Sequence, residues 1–214
     1  EKLFDEWQEK LGYNLENKKI FVRDGLVDEK SYFKAPVKIL YLLKEVNGGD
    51  RDWDLREYIE NGGRAATWDN ITRWTKGILK YKEELEWSSL ENINEDSRKE
   101  ILRYIVAVNL KKIPGGYTTD CKKIEDFLEK PSNINYLKKQ ISLYNPDIII
   151  CCGTGWWYSN YIEKGMKWDK TKRGILYNKE NNKIIISYSH PAARVSSNLL
   201  CYGHIDAVKE IYKK

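Results

Sequence analysis

The chain has no Cys-x-x-Cys pair and only two histidines among its 214 residues. The ligand spacings of a structural zinc site or an iron–sulfur cluster are therefore missing, and no metal or other cofactor is expected. Its four cysteines, Cys121, Cys151, Cys152 and Cys201, show no framework spacing, so the expectation is free thiols in a reducing cytoplasm. Cys151 and Cys152 sit inside an apolar run and read as buried small hydrophobes rather than nucleophiles. No stretch approaches the ~20 apolar residues that span a bilayer, so no membrane partner is expected. The acidic, amphipathic start from Glu1 to Trp7 does not read as a secretory signal. Repeats, low-complexity tracts and Pro/Gly/Ser linkers are absent too, and a single domain over residues 1–214, acting as a monomer, is the economical expectation. The P-loop pattern G-x-x-x-x-G-K-[ST] does not occur, and Gly153-Thr154-Gly155 is too short for a dinucleotide fingerprint.

What is present points elsewhere. With 41% hydrophobic and 32% charged residues the chain is neither disordered nor membrane-like. A net charge of +5 permits contact with a polyanion without demanding it. Eight Trp and fifteen Tyr exceed what a core needs, and aromatic rings are stacking platforms for unpaired bases.

Three short segments, 37–43, 104–110 and 147–152, are apolar on both faces and predict buried parallel strands. A fourth, 183–188, follows a polar turn at 179–182, and 174–177 is placed to pair with it as a hairpin. Helical stripes lie between them: Trp68, Ile71, Trp74 and Ile78 over 67–80, then Ile134, Leu137, Ile141 and Tyr144 over 133–144, stopping at Asn145-Pro146. Ile205, Val208, Ile211 and Tyr212 mark a C-terminal helix. Strands alternating with helices predict an α/β fold, a three-layer α/β/α sandwich around a four-stranded parallel sheet. In such sheets ligands bind at the carboxyl ends of the strands, so the residues that follow each strand are the ones to weigh.

After the first strand comes Lys44-Glu45-Val46-Asn47-Gly48-Gly49-Asp50, and after the second Asn109-Leu110-Lys111-Lys112-Ile113-Pro114-Gly115. After the third comes Gly153-Thr154-Gly155, and after the fourth Ser189-His190-Pro191-Ala192-Ala193-Arg194. This ordered set resembles the uracil-DNA glycosylase superfamily, in particular its iron–sulfur branch. There the first strand leads to Gly-Glu-Ala-Pro-Gly, a Gly-rich stretch leads to an aromatic and a helix, the second strand ends in Thr-Asn, and the last motif is His-Pro-Ser. Gly62-Gly63-Arg64-Ala65-Ala66-Thr67-Trp68 resembles the second of these, and His190-Pro191-Ala192 matches two residues of the last. The likeness runs from about residue 37 to 213 and leaves an N-terminal extension, 1–36, outside it. Lys44 stands where the family has Gly, Asn47 where it has Pro and Ala192 where it has Ser, and the cluster cysteines have no counterparts.

The resemblance implies a DNA glycosylase-like protein that hydrolyses the N-glycosidic bond of a damaged or deaminated base, with DNA, or a nucleobase or nucleoside, as partner. A base must leave the stack before its bond is reached. By resemblance, Trp68 stacks the base and Asn109 reads its edge with one acceptor and two donors. His190 donates to the base oxygen on which charge grows. Glu45 directs water and faces the cationic sugar, with Asn47 sharing the water. Lys111, Lys112, Arg194, Ser196 and Ser197 contact phosphate. Blander readings stand beside these: Trp68 as part of its core stripe, Asn109 as a strand-end cap, Glu45 in a loop ion pair with Lys44 or Arg51, each lysine as a solvated charge. The alternative function is a non-catalytic binder of nucleic acid or nucleobase on the same fold.

Overall fold

The computed structural model describes residues 1–13, 20–48 and 53–213. In chain order its elements are α1 (Lys2–Lys10), β1 (Gly25–Leu26), α2 (Glu29–Lys34), β2 (Ile39–Leu43), α3 (Leu55–Glu60), α4 (Ala65–Leu79), α5 (Glu95–Leu102), β3 (Ile105–Asn109), α6 (Cys121–Leu128), α7 (Pro131–Tyr144), β4 (Ile148–Cys152), α8 (Gly155–Trp157), β5 (Asp169–Lys170), β6 (Leu176–Glu180), β7 (Lys183–Tyr188) and α9 (Ser197–Lys213).

The protein is α/β, but its sheet is larger than the expected four parallel strands. Among the described residues it is mixed and seven-stranded, in the order β1-β3-β2-β4-β7-β6-β5. The four strands legible in the sequence are its middle: β2 pairs parallel with β3 on one side and β4 on the other, and β4 pairs parallel with β7. The additions are antiparallel, β1 on β3 and the β6–β5 pair on β7. β1 and β5 are two residues each, too short to leave a hydrophobic period. The hairpin β6–β7 forms, but its first strand is Leu176–Glu180 rather than 174–177, which leaves only Asn181 and Asn182 as the turn. Asn181 and Asn182 both take positive φ, 49° and 63°, which asparagine tolerates and a two-residue hairpin turn requires.

Every residue of β2, β3 and β4 is buried, because helices cover both faces. Ile39, Tyr41 and Leu43 pack with Trp68, Ile71 and Trp74 of α4 and Leu200, Ile205 and Val208 of α9. Leu40 and Leu42 point the other way, among Ile124 of α6, Leu137 of α7 and Phe4 and Trp7 of α1. The N-terminal extension thus belongs to the core: Trp7 is fully buried and donates from Nε1 to Asn133 Oδ1 at 2.9 Å. No helix among the described residues is long and apolar enough to cross a membrane.

One core group carries a cost that pH exposes. His204 of α9 is fully buried, stacked on Trp74 at 5.3 Å between ring centroids, and neither ring nitrogen has a hydrogen-bond partner. Desolvation holds its pKa down at about 3, against 6.5 for the free group. Between these values the unfolded chain binds a proton that the folded one does not. The titration of His204 therefore costs nothing above pH 6.5, and stability falls as pH drops from there toward 3. The expected slope from this group is up to about 1.4 kcal/mol per pH unit. His204→Phe, which keeps a ring against Trp74, should flatten the loss of urea midpoint between neutral pH and about pH 5. A variant whose midpoint falls as steeply as wild type would show that His204 is not the titrating group.

Candidate functional site

Strand order defines where a site belongs. From β2 the chain crosses to β3 on one side and then back over to β4 on the other. Loops at the carboxyl ends of β2 and β4 therefore leave in opposite directions, which is the place where ligands bind in open sheets of this kind. The loops after β2, β3, β4 and β7 share this edge, as expected of parallel neighbours.

The first two loops are zipped together beyond the strands. Leu110 N donates to Leu43 O at 2.9 Å, Lys111 N to Lys44 O at 3.0 Å, Gly115 N to Val46 O at 2.8 Å and Gly48 N to Gly115 O at 3.1 Å. Asn47, exposed, bridges to Gly115. The Glu45 carboxylate lies directly over Gly115, where any β-carbon would collide with it. It is paired there with the Lys111 ammonium, and both side chains are nearly inaccessible, 4% and 6% exposed. Gly49, Asp50 and Arg51, the rest of the loop and one proposed partner of Glu45, lie outside the described residues.

A second buried ion pair lies beside it. Lys112 Nζ donates to both oxygens of Asp24, at 2.7 and 2.8 Å, and to Asn109 O at 2.9 Å, so its three protons meet three acceptors. Asp24 also accepts from Asn109 N at 2.8 Å, from Asn109 Nδ2 at 3.3 Å and from Gln140 Nε2 at 2.8 Å. Both side chains are fully buried, and the indole of Trp7 lies 5.3 Å from the ammonium. Burial pushes the Lys112 pKa down, against the pull of Asp24.

On the β4 side of this edge, Gly153 (φ 68°) turns the chain out of the strand, and its N donates to Tyr188 O at 2.7 Å. Thr154 Oγ1 ties the turn to Leu42 O at 2.8 Å, and Gly155 fits against Ser187 where a side chain has no room. A methyl group on Gly153 would sit 3.5 Å from Lys44 Cε and 3.6 Å from His190 Cβ, so Lys44, Gly153 and His190 form one cluster. His190 Nδ1 accepts from Ala192 N at 3.1 Å. Burial, and then the nearby Lys44 charge, lowers its pKa, so the imidazole is neutral at neutral pH. With Nδ1 accepting, the proton of the neutral ring is on Nε2, which leaves a donor directed away from the loop. Asn70 of α4 pins this loop by donating to Pro191 O at 2.7 Å, and is itself held by Arg73 Nη1 at 3.0 Å.

Three sequence expectations need correction. Lys111 and Lys112 are interior cations locked to carboxylates, and as placed neither faces a phosphate. Trp68 is only 4% exposed, set in the core against Gly63, so its ring has little face to offer a base. Asn109, 2% exposed, spends its amide on Asp24. Glu45 and His190 share the edge without touching. Arg194 and Ser196 are exposed beyond His190, and Ser197 opens α9. The aromatic side chains that do stand out near these strand ends are Tyr117, 93% exposed, and Trp156, 58% exposed. Asp24 and Asn70 were missed. Asp24 lies in the segment outside the resemblance; Asn70 and Arg73, three apart inside an apolar stripe, were the available signal.

Burial pushes the thiols of Cys151 and Cys152 upward, away from reactivity. Among the described residues no three His, Cys, Asp or Glu side chains are grouped to hold a metal. Two clefts, of about 550 and 660 Å³, lie away from this edge: one at the amino ends of the strands beside Val37, Asp147 and Ile184, the other beneath α7 beside Ile141, Ile149 and Ile185. Against known proteins, no family model matches the chain and no curated protein matches its sequence.

Proposed function

We propose that the protein is a base-recognising hydrolase on a uracil-DNA glycosylase-like α/β/α frame, and that it cleaves the N-glycosidic bond of a damaged or deaminated base in DNA. The observation that carries this reading is the placement, on one edge of the sheet at its topological switch point, of His190, a neutral imidazole with its proton on Nε2, and of Glu45, a buried carboxylate paired with Lys111. Cleavage leaves negative charge on the departing base and positive charge on the sugar. His190 Nε2–H is suited to the first. Glu45 is suited to the second, and to orienting water, once the 44–48 loop shifts enough to present its carboxylate. Asn47, already exposed, shares the water. Arg194 and Ser196 take over the phosphate contacts that Lys111 and Lys112 do not make. The reading invokes no cofactor and a single copy of the chain, and four free thiols fit a reducing compartment.

The non-catalytic binder is favoured by one observation: the Glu45 carboxylate is buried and held by Lys111, so it is not open to water or sugar. Release of free base from oligonucleotides carrying uracil, hypoxanthine, xanthine or an oxidised pyrimidine, with alkali to reveal abasic sites, decides between them. Release of any one supports the hydrolase; binding of DNA without release of any supports the binder.

A further inference from the structure

Two of the three lysines at the carboxyl edge are committed, Lys111 to Glu45 and Lys112 to Asp24. Lys44 is different. Among the described residues it has no carboxylate partner, and its ammonium lies 5.7 Å from the ring centre of Trp157. Its backbone is fixed by the bond from Lys111 N, its side chain is half-buried, and its Cε stands over Gly153 beside His190. A cation meant only for folding would be paired or fully solvated; one meant only for phosphate would stand in the open. An amine that is half-buried against an aromatic ring, without a carboxylate partner among the described residues and next to a neutral hydrogen-bond donor, is placed as carbonyl-trapping lysines are.

We propose that Lys44 is a nucleophile that captures the aldehyde of a base-free deoxyribose as an imine. The inference rests on the reading of this edge as a base-excision site, since removal of a base generates that sugar in place. In its ring-opened form the sugar carries an aldehyde at C1′. The Lys44 ammonium first releases one proton to water, and the freed nitrogen lone pair bonds to C1′ as the C=O π pair moves to oxygen; that oxygen takes one proton from the nitrogen and one from water, leaves as water, and a protonated imine remains. Atoms and charge balance without an outside oxidant or reductant, and hydrolysis by water returns the amine and the aldehyde. His190 Nε2–H is the donor for the aldehyde oxygen during attack. The protein would so hold a reactive product until it is passed on.

The test uses the full chain, an oligonucleotide with a preformed abasic site, and sodium cyanoborohydride, which reduces an imine to a stable amine. The expected result is a covalent protein–DNA adduct on a denaturing gel, with the mass shift in the wild-type peptide that contains Lys44. Lys44→Arg, which retains charge and the contact with Trp157, should bring the adduct to background. Mapping on wild type does not depend on how the variant folds. An adduct at the N-terminal amine or another lysine, or one undiminished in a folded Lys44→Arg protein, overturns the assignment. A wild type that releases base yet forms no adduct overturns it while sparing the hydrolase. An adduct at Lys44 without release of any base sustains the capture and overturns the hydrolase.

Discussion

Lys112→Met is expected to lower stability by about 3–5 kcal/mol, the usual cost of leaving one partner of a buried ion pair alone. Asp24 would keep its bonds from Asn109 and Gln140 but lose the cation that meets both its oxygens. Against a total of about 5–15 kcal/mol that is a large fraction, and the melting temperature should fall on the order of 10 °C. Removing both charges while keeping an acceptor, as in Asp24→Asn with Lys112→Met, should recover part of the loss, because no charge stays buried and the asparagine Oδ1 still accepts from Asn109 N. Thermal melts of the two single variants and the double variant close the cycle. A Lys112→Met protein as stable as wild type would mean that the lysine faces solvent, as its sequence neighbourhood suggested.

Glu45→Gln is the second large effect, and under the proposed hydrolase reading it falls on turnover. Glutamine fills the same place over Gly115 and its amide oxygen still accepts from Lys111, but the buried ammonium loses its counter-charge, so the melting temperature should fall; in the protein shown to be folded at the assay temperature, DNA binding should change little while base release drops about 10²-fold or more. His190→Ala should also slow release, by removing the donor to the leaving base. Single-turnover rates and DNA affinities measured on the same samples separate the two quantities. If Glu45→Gln is as fast as wild type, Asn47 becomes the residue to test. Asn109→Asp is not a clean probe of base choice: it sets a second carboxylate against Asp24, so stability would change before specificity.

What the sequence revealed and what it hid have physical reasons. β2, β3 and β4 are covered on both faces, so their residues are apolar without alternation, and short apolar runs cannot be missed. The hairpin was legible because a polar turn separates two apolar runs, but its bounds were not, since Lys179 and Glu180 are paired strand residues despite their charge. Lys111 and Lys112 were not. Consecutive residues leaving a strand point in opposite directions, so one lysine meets Glu45 and the other Asp24, and Asp24 lies 88 positions earlier in the chain. A lysine pair reads as surface until its partners are known. Trp68 carried two readings because a helix stripe and a stacking ring have the same composition; the close fit against Gly63 that places it in the core is a tertiary fact.

The central claim, that the carboxyl edge of the parallel strands is where DNA is recognised, is most directly tested by hydrogen exchange. The protein would be compared with and without a duplex whose target nucleotide resists hydrolysis. Slower exchange is predicted in peptides covering 44–48, 109–117, 153–157 and 189–199. Protection confined to the opposite edge, around residues 79–83 and 179–184, or none at the four loops while DNA is bound, would contradict it.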